Sequence, residues 1–194
     1  MKSRSYRPIQ GKWLLQEGNR PVYDLTHREE TVCFTGHRFL SKEGKEPLSA
    51  LLDRVLEHLY GKGYRCFVCG GALGFDTLAA RRVLALRQAH PDARLVLALP
   101  CGDQSHAWRE KDQQVWEELR EAADEVNVLS PTYYEGCMHV RNRYMVNRSS
   151  LVLCYLRHAR GGTMSTVGYA LREQVPVLNL AMEEAVLAYI GEEA

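Results

Sequence analysis

The chain has no uninterrupted apolar run of about 18 residues, the length that a membrane-spanning helix requires. Its first ten residues, MKSRSYRPIQ, also lack the apolar core of a signal peptide. We therefore expect a soluble, cytoplasmic protein that does not associate with a membrane. At 194 residues, the chain is long enough for one sizeable domain with its own hydrophobic core.

The chain also lacks an excess of charge of either sign. Its 25 lysines and arginines nearly balance its 24 acidic residues, for a net charge of +1. Affinity for nucleic acid depends on clustered positive charges that neutralise phosphates, so this balance makes nucleic acid an unlikely partner on global charge alone.

Several motifs that would define a common enzyme class are missing. No G-x-G-x-x-G follows the first predicted strand, which argues against an ordinary NAD dehydrogenase. No G-x-x-x-x-G-K-[ST] occurs, which argues against a P-loop NTPase. The sequence also lacks the spacing of a serine–histidine–acid triad or of a metal-ligand set, so we predict no metal site.

Six cysteines are present, and their setting argues against disulfides. Cys33, Cys66, Cys69 and Cys154 lie in apolar, β-rich runs, where free cysteine behaves as a small buried hydrophobe. Cys66 and Cys69 form a CxxC, which is also found in redox and metal sites. Residues three apart on a strand point to opposite faces, and no second CxxC follows, so we favour buried thiols.

A regular alternation of strand-like and helix-like segments predicts the fold. Six short apolar segments start 25 to 34 residues apart, and amphipathic helical patterns separate most of them. This order is typical of an α/β, Rossmann-like, doubly wound, mainly parallel sheet with helices on both faces. Residues 1–30 break the rhythm and form an N-terminal arm or hairpin, and residues 31–194 form the Rossmann-like domain. The predicted strands are 31–34, 65–69, 95–99, 125–129, 151–155 and 176–180.

Three turns that follow predicted strands carry glycine: TGHR (35–38), GGALGFD (70–76) and LRHARGGT (156–163). Ligands of such sheets bind beyond the carboxyl ends of the strands, where free amides at helix N-termini attract phosphates. Gly161, Gly162 and Thr163 therefore predict a phosphate cradle, in which Thr163 caps the helix or donates its hydroxyl to a phosphate. The alternative is a tight strand-to-helix turn with no ligand.

Polar side chains near these turns extend the predicted site. Arg38 and Arg143 are candidates for bidentate phosphate contacts, while the other arginines of 141–160 are typical of a solvated helix face. Asp76 either caps its helix or accepts hydrogen bonds from ribose hydroxyls. His37 contacts a phosphate or a base, acts as an acid or base, or makes only a structural hydrogen bond.

Five motifs in order, CFTGHR, GGALGFDTLAA, ALPCGDQSHAW, RNRYMVNRSSLVLCYL and GGTMSTVGYA, resemble the YpsA-like branch of the SLOG superfamily. That superfamily also contains DprA and the LOG phosphoribohydrolases, and the resemblance covers roughly residues 31–180. It implies a Rossmann-like fold, a nucleotide-derived ligand such as ADP-ribose or NAD, and a homo-oligomer. The residues that the resemblance places around the ligand are Gly36, His37, Arg38, Gly70, Gly71, Asp76, Arg143, Gly161, Gly162 and Thr163.

One position departs from the LOG pattern Gly-Gly-x-Gly-Thr-x-x-Glu, because Thr166 stands where the glutamate would be. A neutral hydroxyl cannot stabilise an oxocarbenium-like transition state as a carboxylate does. The resemblance therefore predicts a sensor of a nucleotide-derived ligand that signals through a protein partner, in bacterial stress response or cell division. The alternatives are a hydrolase of a nucleoside phosphate or NAD-like substrate, and a single-stranded DNA binder like DprA, so whether the protein is an enzyme stays open.

Overall fold

The computed structural model describes residues 26–191, apart from the side chain of Lys42. Of the residues before 26, it describes only the backbone of three two-residue strands. The strands are β1 (Lys12–Trp13), β2 (Gln16–Glu17), β3 (Arg20–Pro21), β4 (Thr31–Gly36), β5 (Cys66–Cys69), β6 (Arg94–Leu99), β7 (Glu125–Val128), β8 (Leu151–Tyr155) and β9 (Val177–Asn179).

Helices occupy the crossovers between the strands. A short 3-10 helix spans Arg28–Glu30 and leads into β4. The α-helices are α1 (Lys42–Gly61), α2 (Phe75–Ala89), α3 (Glu110–Ala122), α4 (Cys137–Asn147), α5 (Gly161–Arg172) and α6 (Glu183–Ile190). In the described part of the chain, none of these helices is long and apolar enough to span a bilayer.

Seven strands form one wholly parallel sheet in the order β1-β7-β6-β5-β4-β8-β9. From β4 the chain proceeds through β5 and β6 to β7, then crosses back to place β8 on the free side of β4. The strand order therefore reverses between β4 and β8. In a doubly wound sheet this switch point opens a crevice at the carboxyl ends of the two strands.

Side chains of the strands alternate between two hydrophobic cores. Val32 and Phe34 of β4 pack into a core that also contains residues of α1, α2, α3 and α6. Cys33, between them, packs into a second core with residues of α4 and α5. Both faces of the sheet are thus covered by helices, and the predicted Rossmann-like, doubly wound fold is confirmed.

The N-terminal region contributes to the main sheet. β1 lies at the sheet edge and pairs in parallel with β7, while β2 and β3 form a separate antiparallel pair. The other residues of the predicted arm up to residue 25 lie outside the described residues. The division of the chain after residue 30 stays a prediction.

The cysteines agree with the sequence analysis. All six are free and buried. Burial raises the pKa of the Cys69 thiol well above its ordinary value, which keeps it protonated and unreactive. Within residues 26–191 and the three short strands, no group of three or more potential ligands could hold a metal ion.

The buried face of α5 does not follow its largest apolar side chains. Met164 and Leu171 are 37% and 61% exposed. The buried face instead includes Thr163 and Thr166, with Val167 and Ala170. A threonine whose hydroxyl bonds to its own helix can be buried, so this face is apolar without aliphatic residues throughout.

Candidate functional site

The loops that follow β4 and β8 meet at the switch point through His37. Its Nε2 accepts a hydrogen bond of 3.0 Å from the backbone N–H of Arg157. Its backbone carbonyl accepts a bond of 3.1 Å from the N–H of Phe75, the first residue of α2. His37 therefore joins the turns after β4, β5 and β8, which the sequence analysis predicted to lie together.

The electrostatic setting of His37 favours its neutral form. Partial burial lowers the pKa of His37, and the positive charges of His158, Arg157 and Arg160 lower it further. The ring centroids of His37 and His158 are 5.8 Å apart. A neutral ring that accepts at Nε2 carries its proton on Nδ1, so this histidine is an acceptor within the loop junction.

The turn between β8 and α5 is open and basic. Arg157, His158 and Arg160 are exposed, and so are Gly161 and Gly162 at the start of α5. A Cβ atom built on either glycine meets no described atom within 4 Å. No side chain caps the helix at Arg160, its N-cap residue. The helix N-terminus therefore offers amide groups beside three basic side chains, an arrangement that suits an anion.

Thr163 occupies a different position from the one that its capping role requires. α5 begins at Gly161, so Thr163 is already inside the helix and is 7% exposed. The interpretation of Thr163 as the N-cap is wrong, because Gly161 and Gly162 precede it within α5 and the N-cap residue is Arg160. Its contact with a phosphate stays a prediction.

The turn between β5 and α2 is closed, in contrast. The carbonyl of Gly70 accepts hydrogen bonds from Arg141 Nη1 and, at 3.2 Å, from Gln104 Nε2. A Cβ on Gly70 would overlap the Arg141 guanidinium, and a Cβ on Gly71 would come within 2.7 Å of Leu99. Gly36 is also enclosed, since a Cβ there would meet the Phe75 ring. These glycines are needed for close packing.

Asp76 and Arg141 form the buried polar centre of this closed turn. Asp76 is 5% exposed, and its Oδ2 accepts a bond of 3.3 Å from the N–H of Ala72. Burial raises the pKa of Asp76, while the charge of Arg141 opposes that rise. Asp76 therefore stabilises its own loop, and its contact with a ribose stays a prediction.

The arginines between residues 141 and 160 separate into different environments. Arg143, the one singled out from sequence, lies with its guanidinium 5.5 Å from the Tyr169 ring centroid. Arg148 bonds to Glu125 at the opposite, amino end of β7, with an N–O distance of 3.0 Å. Within residues 26–191, no hydrogen bond or ion pair joins Arg143 to a glycine turn, so its ligand role stays a prediction.

Arg141 is the site residue that the sequence analysis missed. It is 6% exposed and lies beneath the β5–α2 turn. The signal was helical spacing, because Arg141 follows Cys137 by four residues and precedes Tyr144 by three, and both neighbours are buried. Arginine is rarely buried without a partner, so from sequence alone an arginine at such a position is predicted to be exposed.

The fold and the switch-point geometry define an α/β, Rossmann-like protein. The YpsA family model, described as the YspA SLOG family, matches residues 39–176. This match covers more than half of the chain, and the chain belongs to that family. The predicted SLOG resemblance is therefore confirmed.

Known relatives agree with this assignment. A UPF0398 protein of Halalkalibacterium halodurans is 28% identical over 132 residues, which cover 67% of this chain and 66% of that protein. The chain thus spans slightly less than two thirds of that relative's length. The uncharacterised SPbeta prophage-derived protein YoqJ of Bacillus subtilis is 31% identical over 131 residues, which cover 60% of this chain and 75% of YoqJ.

Among solved structures, DprA of Helicobacter pylori has a similar fold, with a TM-score of 0.60 and 19% sequence identity. The similarity covers 92% of this chain and 88% of that protein, which binds single-stranded DNA. Nucleic acid was disfavoured above as a partner on net charge alone, but net charge does not describe the basic corner at β8–α5.

Proposed function

We propose that this protein binds a nucleotide-derived anion of the ADP-ribose or NAD type at the switch point between β4 and β8. In this proposal it acts as a sensor that signals through a protein partner. The main support is the open, basic corner where α5 begins. There, three exposed basic side chains lie beside two glycines that face open space.

The charges of this corner favour a diphosphate. Within residues 26–191, no acidic side chain forms an ion pair with Arg157 or Arg160. Guanidinium groups and helix-terminal amides both stabilise phosphate oxygens, and an adjacent diphosphate would engage both kinds of donor. Absence of Cβ atoms at Gly161 and Gly162 would let the backbone approach the ligand closely.

Binding is favoured over glycosidic hydrolysis by the environment of Thr166. Its hydroxyl donates a hydrogen bond of 2.9 Å to the carbonyl of Gly162 and is buried in α5. The position that carries a glutamate in the LOG pattern therefore holds a neutral group already engaged by its own helix. Asp76, a carboxylate of the β5–α2 turn, is buried and interacts with the charge of Arg141.

Single-stranded DNA is the second candidate ligand. The exposed cations at Arg157 and Arg160 suit a phosphodiester backbone as well as a diphosphate. The affinity for DNA falls steeply with salt concentration because bound counterions are released. The affinity for a small ligand with one diphosphate depends less on salt, because fewer charges are engaged. A gel shift repeated at two salt concentrations separates these candidates.

The decisive experiment is thermal unfolding of wild type and Gly162→Val with ADP-ribose and NAD. A ligand at 100 times its dissociation constant stabilises the folded wild type by about 2.7 kcal/mol. Gly162→Val should fold, because its Cβ meets no described atom within 4 Å, and should lose the ligand-induced shift.

Gly168→Val is the matched control, because it makes the same change in the same helix where a Cβ meets only Arg172, at 3.7 Å. It should keep the shift. An equal ligand-induced shift in folded Gly162→Val and wild type would reject the proposed site. Release of nicotinamide or of a free base during the incubation would instead identify an enzyme.

A further inference from the structure

A second pocket lies on the face of the sheet that α1 and α2 cover, away from the face covered by α5. Its volume is about 410 Å³, within the range of small-molecule sites. The β4–α1 loop, the first turns of α1 and the middle of α2 line it. The lining residues used below are Arg38, Phe39, Lys45, Leu78, Arg81 and Arg82.

Three of the four basic residues that line the pocket are not held in an ion pair. Arg38, Lys45 and Arg81 are exposed, and in residues 26–191 none of them forms an ion pair. Arg82 differs, because its guanidinium is bound by both carboxylate oxygens of Asp53, at 2.5 and 2.6 Å. Asp53 therefore neutralises one of four basic residues, and the pocket keeps a net positive charge.

An exposed aromatic ring stands at the same pocket. Phe39 is 93% exposed, the highest exposure among the large hydrophobic side chains of the described residues. Leu78 provides a buried apolar wall. A flat ring beside phosphate-binding cations is the combination that holds a nucleotide, since the base stacks on the ring and the phosphate binds the cations.

We propose that this pocket binds one nucleotide unit, with its base stacked on Phe39 and its phosphate held by Lys45 and Arg81. The site is separate from the corner at Gly161 and Gly162. The unit is either a free mononucleotide or one residue of a single-stranded oligonucleotide, because both present the same base and phosphate.

The test uses Phe39→Trp as a fluorescent reporter in the full chain. Its signal is compared with that of the wild type, which already contains Trp13, Trp108 and Trp116. AMP or an eight-residue oligothymidylate should quench the new tryptophan by stacking. Ribose 5-phosphate has no base, so it should compete for the pocket without quenching.

Substitution of the cations tests the phosphate contact. Lys45→Gln with Arg81→Gln in the Phe39→Trp background should raise the dissociation constant at least about tenfold, since two charge-assisted contacts are lost. Lys111→Gln, an exposed lysine on α3, is the matched control and should leave binding unchanged. All substituted side chains are exposed, so unfolding midpoints should stay close to the wild type.

The outcomes of these experiments test the proposal and show whether the ligand is a free nucleotide or a strand. Tighter, strongly salt-dependent binding of the oligonucleotide indicates a strand, and equal or tighter binding of AMP indicates a free nucleotide. Absence of quenching by both, or quenching unaffected by the double substitution, overturns the proposal. Gly162→Val in the reporter background should leave quenching intact, which distinguishes failure here from failure of the proposed function.

Discussion

The two glycine turns at the carboxyl edge of the sheet have similar composition and opposite environments. At β5–α2, Gly70 and Gly71 are buried, and a Cβ on either would overlap a neighbouring side chain. At β8–α5, Gly161 and Gly162 are exposed, and a Cβ on either meets no described atom within 4 Å. The first turn needs glycine because the protein fills the space, whereas at Gly162 packing gives no reason for glycine.

This difference shows which glycine turn is free to bind a ligand. In the closed turn, the backbone carbonyl of Gly70 is already occupied by Arg141 and Gln104. In the open turn, the first amides of α5 have no side-chain cap. Glycine-rich sequence alone does not separate these cases, because both turns follow a parallel strand and precede a helix.

The largest effect is expected from Arg141→Ala, which removes the guanidinium beneath the closed turn. Asp76 would be left as a buried charge without its opposing partner, a change that costs about 3–5 kcal/mol of unfolding free energy. Urea denaturation measures this loss. Arg143→Ala is the control on the same helix and should cost less than about 1 kcal/mol, because Arg143 is exposed and its guanidinium contacts only the Tyr169 ring.

If Arg141→Ala and Arg143→Ala unfold at the same urea concentration, the closed turn does not depend on Arg141, and the contrast between the two turns is wrong. Arg141→Met combined with Asp76→Asn should recover part of the lost stability, because neither charge is then left unpaired.

The second-largest loss of stability is expected for Gly74→Ala, and Gly162→Ala serves as its comparison. Gly74 has φ +80°, and a Cβ there would overlap the backbone carbonyl of Arg38. We expect a loss of about 2–4 kcal/mol from backbone strain and overpacking. Gly162→Ala should change stability by at most about 1 kcal/mol, because space is open and alanine favours a helix. A loss at Gly162 as large as at Gly74 would mean that both turns are closed.

The smallest effect concerns the protonation of His37, where the open corner meets the other turns. Its pKa is lowered, so unfolded chains bind the proton more readily than folded ones below about pH 6.5. Stability should therefore fall as pH drops through that value and level off below the folded pKa. An NMR titration of His37 should give a pKa below 6.5 that rises in Arg160→Gln. An unchanged pKa in that variant would contradict the stated electrostatics.

The sequence predicted the layout of the fold because apolar periodicity is local. All six predicted strands coincide with β4–β9 to within two residues, and the predicted turns after β4, β5 and β8 meet at His37. What the sequence did not predict depends on contacts between distant residues. Arg141 reaches Gly70 across 71 positions, and although its helical spacing from Cys137 and Tyr144 indicates a buried position, nothing local identifies this distant partner.

The interpretation of Thr163 failed for a related reason. Glycine usually marks a turn, so the helix was expected to start after Gly162, yet α5 begins at Gly161, which has a positive φ of +79°. Open or closed surroundings of a glycine likewise depend on side chains from other elements, such as Leu99 beside Gly71.

The interior position of β4 in the sheet has a consequence for synthesis on the ribosome. β4 pairs with β5 early in the chain, but its other neighbour, β8, lies 119 residues further on, as the pairing of Val32 with Leu151 shows. At about 5–20 residues per second, the hydrogen-bonding edge of this apolar strand waits roughly 6–24 s for its partner. During that interval the nascent chain exposes the middle of its future sheet, and this is when association with chaperones would protect it most from aggregation.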